Sequence, residues 1–188
     1  MIRAFLAFDV SEEIKKNLNQ FITPFQSQQK GVRWIRLQNY HVTLKFFDSI
    51  DETTMLEPLS KIIEEQLSSF KPVELTCEGL GCFPIWARPK VIWTDLKGET
   101  ASLIELQKNL EESFLKLGFP KEERAFKVHL TLARIRNLPK ERGWLKSLEA
   151  LPPQTFGKFI VDRLTFYKSV LTKEGPVYTS LKEFPFKN

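Results

Sequence analysis

The chain contains two histidines, and each opens the same kind of tetrapeptide: His41-Val42-Thr43-Leu44 and His129-Leu130-Thr131-Leu132. One H-x-T-x is a weak signal. The chain has 12 Thr and 24 Leu among its 188 residues. The chance that both His carry Thr two positions on and Leu three positions on is therefore roughly one in ten thousand, which guards against a motif false positive. A lone His on an apolar strand is most often a core residue with satisfied nitrogens; the repetition reverses that weighting. Side chains alternate along a strand, so His41 and Thr43 share one face while Val42 and Leu44 share the other. His129 and Thr131 stand in the same relation to Leu130 and Leu132. Each strand would anchor its apolar pair in a core and present a His/Thr pair to a groove. Two imidazoles, one neutral and one protonated, can act as base and acid near neutral pH on opposite sides of a phosphorus atom. Two Thr hydroxyls can hold the non-bridging oxygens in line. This chemistry is in-line displacement at a phosphodiester, and it requires no metal or cofactor.

The elements that must position these residues follow from hydrophobic periodicity. Residues 2–8 alternate loosely and predict a strand. Ser11 can cap a helix, with Glu12 and Glu13 in its first turn and Ile14, Leu18, Phe21, Ile22 and Phe25 on one face. Pro24 is expected to kink or end it. Further helices are expected over Glu52–Ser69, over Thr100–Leu117 with Gly118 as its stop, and briefly over Pro139–Leu148. Strands are expected at 32–36, 41–47, 73–80, 91–96, 128–134, 158–168 and 177–184. The order gives an α+β fold with mostly antiparallel pairing. It carries an internal echo: a long amphipathic helix precedes each histidine strand and a second helical stretch follows it. A bilobal, pseudo-twofold body would explain the echo.

Composition narrows the classes. With 42% apolar and 27% charged residues, the chain reads as one soluble globular domain of two lobes over residues 1–188. No stretch is apolar for long enough to span a membrane. The opening MIRAFLAFDVSEE lacks a small-residue cleavage site and reads as a first strand, so a cytoplasmic location is expected. Cys77 and Cys82 make no disulfide framework and have no zinc spacing with the distant histidines. No G-x-S-x-G, Walker A or G-x-G-x-x-G motif is present. The net charge is +5. Residues 30–45 (Lys30, Arg33, Arg36, Lys45) carry +4, residues 121–146 carry +5, and the remaining chain carries −4. The positive excess surrounds the histidines and is expected to line or rim the groove, which favours an anionic partner such as a nucleic-acid backbone.

Five segments, RAFLAFDV, VRWIRLQNYHVTLKF, GLGCFPIWARPKVIW, FKVHLTLAR and LTFYKSVLTKEGPVY, make nearly the whole chain resemble the 2H phosphoesterases. Within them it resembles the RNA 2′,3′-cyclic phosphodiesterases, historically called 2′–5′ RNA ligases. The resemblance implies a bilobal 2H fold, two mostly antiparallel sheets flanked by helices around a central groove. It implies hydrolysis of a terminal 2′,3′-cyclic phosphate to a 2′-phosphomonoester, on RNA ends or small cyclic nucleotides, by a monomer. His41 then resembles the proton donor to the departing 3′ oxygen and His129 the base, with Thr43 and Thr131 as phosphate binders. Phe46 resembles a base-stacking platform and Arg134 a phosphate ligand. Each lies five positions after its His, the wrong parity for the groove face, so the strand must end or bulge near Lys45 and Ala133 for them to reach it. Without one, Phe46 reads as a core aromatic and Arg134 as a solvent-facing cation. The chain departs from the family at Phe47-Asp48, where a Leu-Gly pair is common, and at Val128, where Pro is common. Both departures bear on loop shape and substrate preference more than on chemistry. The same site could run in reverse to join 2′–5′ linkages, since an acid–base pair serves both directions. An RNA-end-binding module without turnover is the alternative of a different class. The paired His and Thr argue against it, because Arg or Lys would serve binding better.

Overall fold

The computed structural model describes residues 1–26, 31–138, 140, 142–173 and 175–187. Lys30, Pro139 and Glu141, which enter the charge windows and the fourth-helix expectation, lie outside them. Strands are β1 (Ile2–Asp9), β2 (Val32–Trp34), β3 (His41–Ile50), β4 (Val73–Phe83), β5 (Val91–Gly98), β6 (His129–Ile135), β7 (Thr155–Val161), β8 (Arg163–Thr172) and β9 (Gly175–Pro185). Helices are α1 (Glu12–Gln26), α2 (Glu52–Gln66), α3 (Thr100–Leu115) and α4 (Gly143–Glu149). Two sheets form, ordered β3-β1-β8-β9 and β2-β6-β5-β4-β7. All the strand pairs are antiparallel.

Where the chain differs from its sequence reading, the causes are local. The single strand expected over 158–168 is two strands in different sheets. The buried positions run Phe159 and Val161, then Leu164 and Phe166, so the alternation changes phase at Asp162. There the chain leaves the second sheet and enters the first. Pro24 does not end α1, which continues to Gln26; it sits on the exposed side of the helix. α2 begins at Glu52 as expected, and Asp51 caps it by accepting from the amides of Thr53 and Thr54, satisfying two orphan donors. Cys77 is fully buried, while Cys82 is intermediate.

The lobes are not sequence halves. β2 comes from the N-terminal third yet borders β6 in the second sheet, and β8 and β9 return from the C-terminus to the first. Helix α1 packs on β7, and α3 packs on β3 and α2. Each long helix that precedes a histidine strand therefore covers the other strand's sheet. Val42 and Leu44, Leu130 and Leu132, Phe166 and Leu75 all belong to one contiguous buried cluster. The two histidine strands thus share one core behind them.

Candidate active site

β3 and β6 carry the same seven-residue burial sequence from their histidines onward. His and Thr are half-buried, the two residues between and after them are buried, the fifth residue is buried, the sixth exposed and the seventh buried. The cause is a β-bulge at the same place in each. Thr43 pairs with Ala7 but Lys45 with Leu6, so β3 has one extra residue at Leu44–Lys45. Thr131 pairs with Trp93 but Ala133 with Ile92, so β6 has one at Leu132–Ala133. An extra residue resets the alternation. It turns Lys45 and Ala133 inward and brings Phe46 and Arg134 to the face of the His and Thr. Phe46 is accordingly 57% exposed, although it lies between two buried neighbours.

The bulge of β3 is tied to α3. Lys45 is buried, and its Nζ donates to Glu111 Oε2 at 2.7 Å and to the Pro120 carbonyl at 2.5 Å. Gln107 Nε2 donates to the Leu44 carbonyl at 3.3 Å and to Glu111 Oε1 at 3.2 Å. This corrects the charge reading. Lys45 faces the core and its positive charge is neutralised there. Lys121 is held by Glu112, and Lys127 lies 3.5 Å from Asp95. Three lysines of the basic windows are therefore already paired with carboxylates, and the charge open to an anion is smaller than the windows suggest.

Around His41, Phe5 stacks on the imidazole at 4.7 Å between centroids and Tyr178 meets it edge-on at 5.2 Å. Tyr167 stacks on Phe5 at 5.2 Å and donates its hydroxyl to Asp9 Oδ2 at 2.6 Å. Phe46 lies 6.0 Å from Phe5. Around His129, Phe83 and Trp93 stand edge-on at 5.1 and 6.1 Å. Trp93 reaches this place because its ring lies over Gly81, where any Cβ would collide with it. Lys127 Nζ sits 4.1 Å above the same ring, a cation–π contact.

Both imidazoles are held alike. His129 Nδ1 lies 2.7 Å from the Lys127 carbonyl, and the His41 ring bonds the Asn39 carbonyl. Each partner is the carbonyl two residues upstream. A carbonyl only accepts, so the ring nitrogen facing it must carry the proton. The other nitrogen is left to accept a proton when the ring is neutral and to donate one when it is charged. Burial pushes His41 down to about 4, with Arg134 and Lys15 opposing its charge further. Burial also lowers His129; Arg134 and Lys127 add to the effect, while the Lys127 carbonyl and Asp95 counter it. Both rings are therefore neutral at neutral pH in the free protein. Arg134 acts on both rings, and β3 and β6 are in direct contact. The two histidine strands thus lie against one another, with the Arg134 charge disfavouring protonation of both rings.

All six residues singled out in the sequence, His41, Thr43, Phe46, His129, Thr131 and Arg134, fall on these two faces. Sequence reasoning missed Phe5, Asp9, Tyr167, Tyr178, Trp93 and Asp95. Asp9 is the cross-strand partner of His41, and Asp95 that of His129. The signal available was an Asp after an apolar stretch: RAFLAF precedes Asp9, which ends β1, and VIWT precedes Asp95 within β5. Nothing in their spacing to the histidines shows that these strands are neighbours. Among the described residues, no group of three or more His, Cys, Asp or Glu is placed to hold a metal ion.

Comparison with known proteins places this geometry. The model of the 2′-5′ RNA ligase superfamily matches residues 14–172. An RNA 2′,3′-cyclic phosphodiesterase of Methanocaldococcus jannaschii is 32% identical, covering 97% of this chain and 100% of its own. Another from Thermotoga maritima is 31% identical, covering 99% and 96%. Among solved structures, TT0787 of Thermus thermophilus superposes with a TM-score of 0.78 at 25% identity, covering 98% of both chains. E. coli LigT complexed with 3′-AMP superposes with a TM-score of 0.80 at 23% identity, covering 100% of this chain and 99% of its own.

Proposed function

The chain belongs to the 2′-5′ RNA ligase superfamily, and from that membership we propose that it is an RNA 2′,3′-cyclic phosphodiesterase, opening the cyclic ester to a 2′-phosphomonoester. The observation that carries the reading is the pair of histidine strands with identical burial and matching bulges, lying against one another. Thr43 and Thr131 would donate hydroxyls to the non-bridging oxygens, and Arg134 would engage one of them through its planar fork. Phe46 offers its exposed ring to the terminal base. His129 would take a proton from the attacking water and His41 would give one to the departing 3′ oxygen. The family resemblance assigns these two roles, since the two half-sites are alike. The free protein holds both rings neutral. Proton uptake by the donor is thus expected with the substrate, whose negative charge offsets the opposing Arg134. No step calls for a metal, and joining of 2′–5′ linkages would be the reverse passage through the same site. A monomer working on RNA ends or small cyclic nucleotides fits this groove, and residues 1–188 read as a single bilobal domain.

The test is release of a 2′-phosphate from a cyclic-ended RNA in excess chelator. Undiminished turnover is expected. Loss of turnover in chelator would point to a metal enzyme, and tight binding without turnover to an RNA-end-binding module. The division of roles is tested with a substrate whose 3′ leaving group needs no proton. It should rescue His41→Ala and leave His129→Ala impaired, and the opposite pattern would exchange the roles.

A further inference from the structure

The groove holds more positive charge than one cyclic phosphate needs. Arg33 on β2 is the direct cross-strand partner of Arg134 on β6. Like charges placed opposite one another destabilise a sheet. Among the described residues no carboxylate forms an ion pair with Arg33, Arg134 or Arg3, whereas the neighbouring Lys45, Lys127 and Lys168 each have one. Arg33 is also placed rather than loose. It reaches from the second sheet to the tip of the β8–β9 hairpin, where a Cβ on Gly175 would lie 2.7 Å from its Nη2. Gly175 has φ +130, a conformation suited to glycine. The next carbonyl, Pro176, accepts from Asn39 Nδ2 at 3.1 Å. The hairpin tip is thereby fastened to the segment that carries Arg33.

From the other side, Arg3 pairs with Ser169 and Ser169 with Tyr178, one row across the first sheet on the face of Phe5 and Tyr167. The charges of Arg134, Arg33 and Arg3 all reach the Tyr178 hydroxyl, and Tyr178 touches His41. Arg33 thus approaches the β8–β9 hairpin from the second sheet, and Arg3 shares a row of the first sheet with Tyr178.

We propose that Arg33, with Arg3 and the Tyr178 hydroxyl, forms a second phosphate subsite. It takes the phosphate on the 5′ oxygen of the same nucleotide whose 2′,3′-cyclic phosphate lies between His41 and His129. This rests on the hydrolytic reading above and adds the substrate class: a nucleotide phosphorylated at both ends of its ribose. The 5′ phosphate has two sources, an internucleotide link in an RNA strand or a free 5′-phosphate on a single nucleotide.

The experiment compares kcat/KM of the full chain on four substrates: a nucleoside 2′,3′-cyclic phosphate, its 5′-phosphorylated form, a cyclic-ended dinucleotide, and that dinucleotide with a neutral methylphosphonate link. Charge-assisted contacts imply a gain of about tenfold or more for the second and third over the first. The methylphosphonate should fall back to the level of the first. Arg33→Ala should erase the gain and leave the unphosphorylated nucleoside cyclic phosphate unchanged, with Arg33→Lys in between. A gain confined to the dinucleotide would show that only the strand link is accepted. A gain retained by the methylphosphonate would overturn the subsite in favour of a base contact. So would an Arg33→Ala loss equal on all four substrates. If no substrate is turned over, the hydrolytic reading fails, and the subsite is judged by equilibrium binding. Arg33→Ala should then weaken adenosine 3′,5′-bisphosphate about tenfold and leave 3′-AMP unaffected. Equal weakening, or none, would overturn it.

Discussion

At the scale of single residues, the histidines are set by burial and by one guanidinium. His41 is held down to about 4 from an ordinary value of 6.5, and His129 is also lowered. A donor must begin protonated and a base neutral, so the profile of kcat/KM should be a bell centred on the acid side of 6.5. Raising the pH strips the donor, and lowering it charges the base. The bound phosphate anion raises both rings, so the optimum of kcat should lie at higher pH than that of kcat/KM. Arg134 disfavours the charge on both rings, so Arg134→Ala should move the kcat/KM profile toward higher pH besides weakening binding. A profile unmoved by that change would remove Arg134 from the neighbourhood of the pair. His41→Ala and His129→Ala should each cost roughly 10²–10⁴ in rate. The double variant should lose less than the product, because the two act as a unit.

At the scale of elements, the bulges decide which side chains the groove receives. The β3 bulge is held by a buried ion pair whose members, Lys45 and Glu111, are each 8% exposed. Removing one partner of such a pair strands the other charge and costs about 3–5 kcal/mol. Lys45→Met should therefore lower stability in denaturant melts by that order. The double change Lys45→Met with Glu111→Leu should recover most of it. Phe46 follows Lys45 directly, so the single variant should also raise KM for a cyclic-ended RNA. The β6 bulge places Ala133 where β3 has Lys45, and no ion pair depends on it. If Lys45→Met were as stable as the parent, the bulge would owe its place to something other than α3.

At the scale of the whole molecule, interleaved strands and a shared core argue for one cooperative unit. Each sheet contains strands from both ends of the chain, and one buried cluster backs both histidine strands. Trp34 on β2, Trp93 on β5 and Trp144 on α4 belong to the second lobe, and Trp86 packs against that lobe's smaller apolar cluster. Tryptophan fluorescence therefore reports that lobe, while far-UV ellipticity reports both. The two should trace the same guanidinium transition. Separated midpoints would mean that the lobes unfold independently and that the chain is not a single domain.

The sequence alone determined what local pattern can carry. Alternation and helical spacing place the helices and most strands. Two copies of H-x-T-x mark the histidines, threonines and their facing. That each strand must end or bulge near Lys45 and Ala133 also followed from parity, because a five-residue offset is odd and a strand has period two; the structure decided for the bulge. Tertiary structure decided what depends on which strands lie side by side. Asp9 beside His41, Asp95 beside His129, and Arg33 beside Arg134 are pairings across strands far apart in the chain. Lys45 counted as a groove cation until its partner on α3 was known. The break at Asp162 sends one apolar run into two sheets. A single chain records which face a residue takes along its own strand, but its cross-strand neighbours are fixed only when the sheets close on their common core.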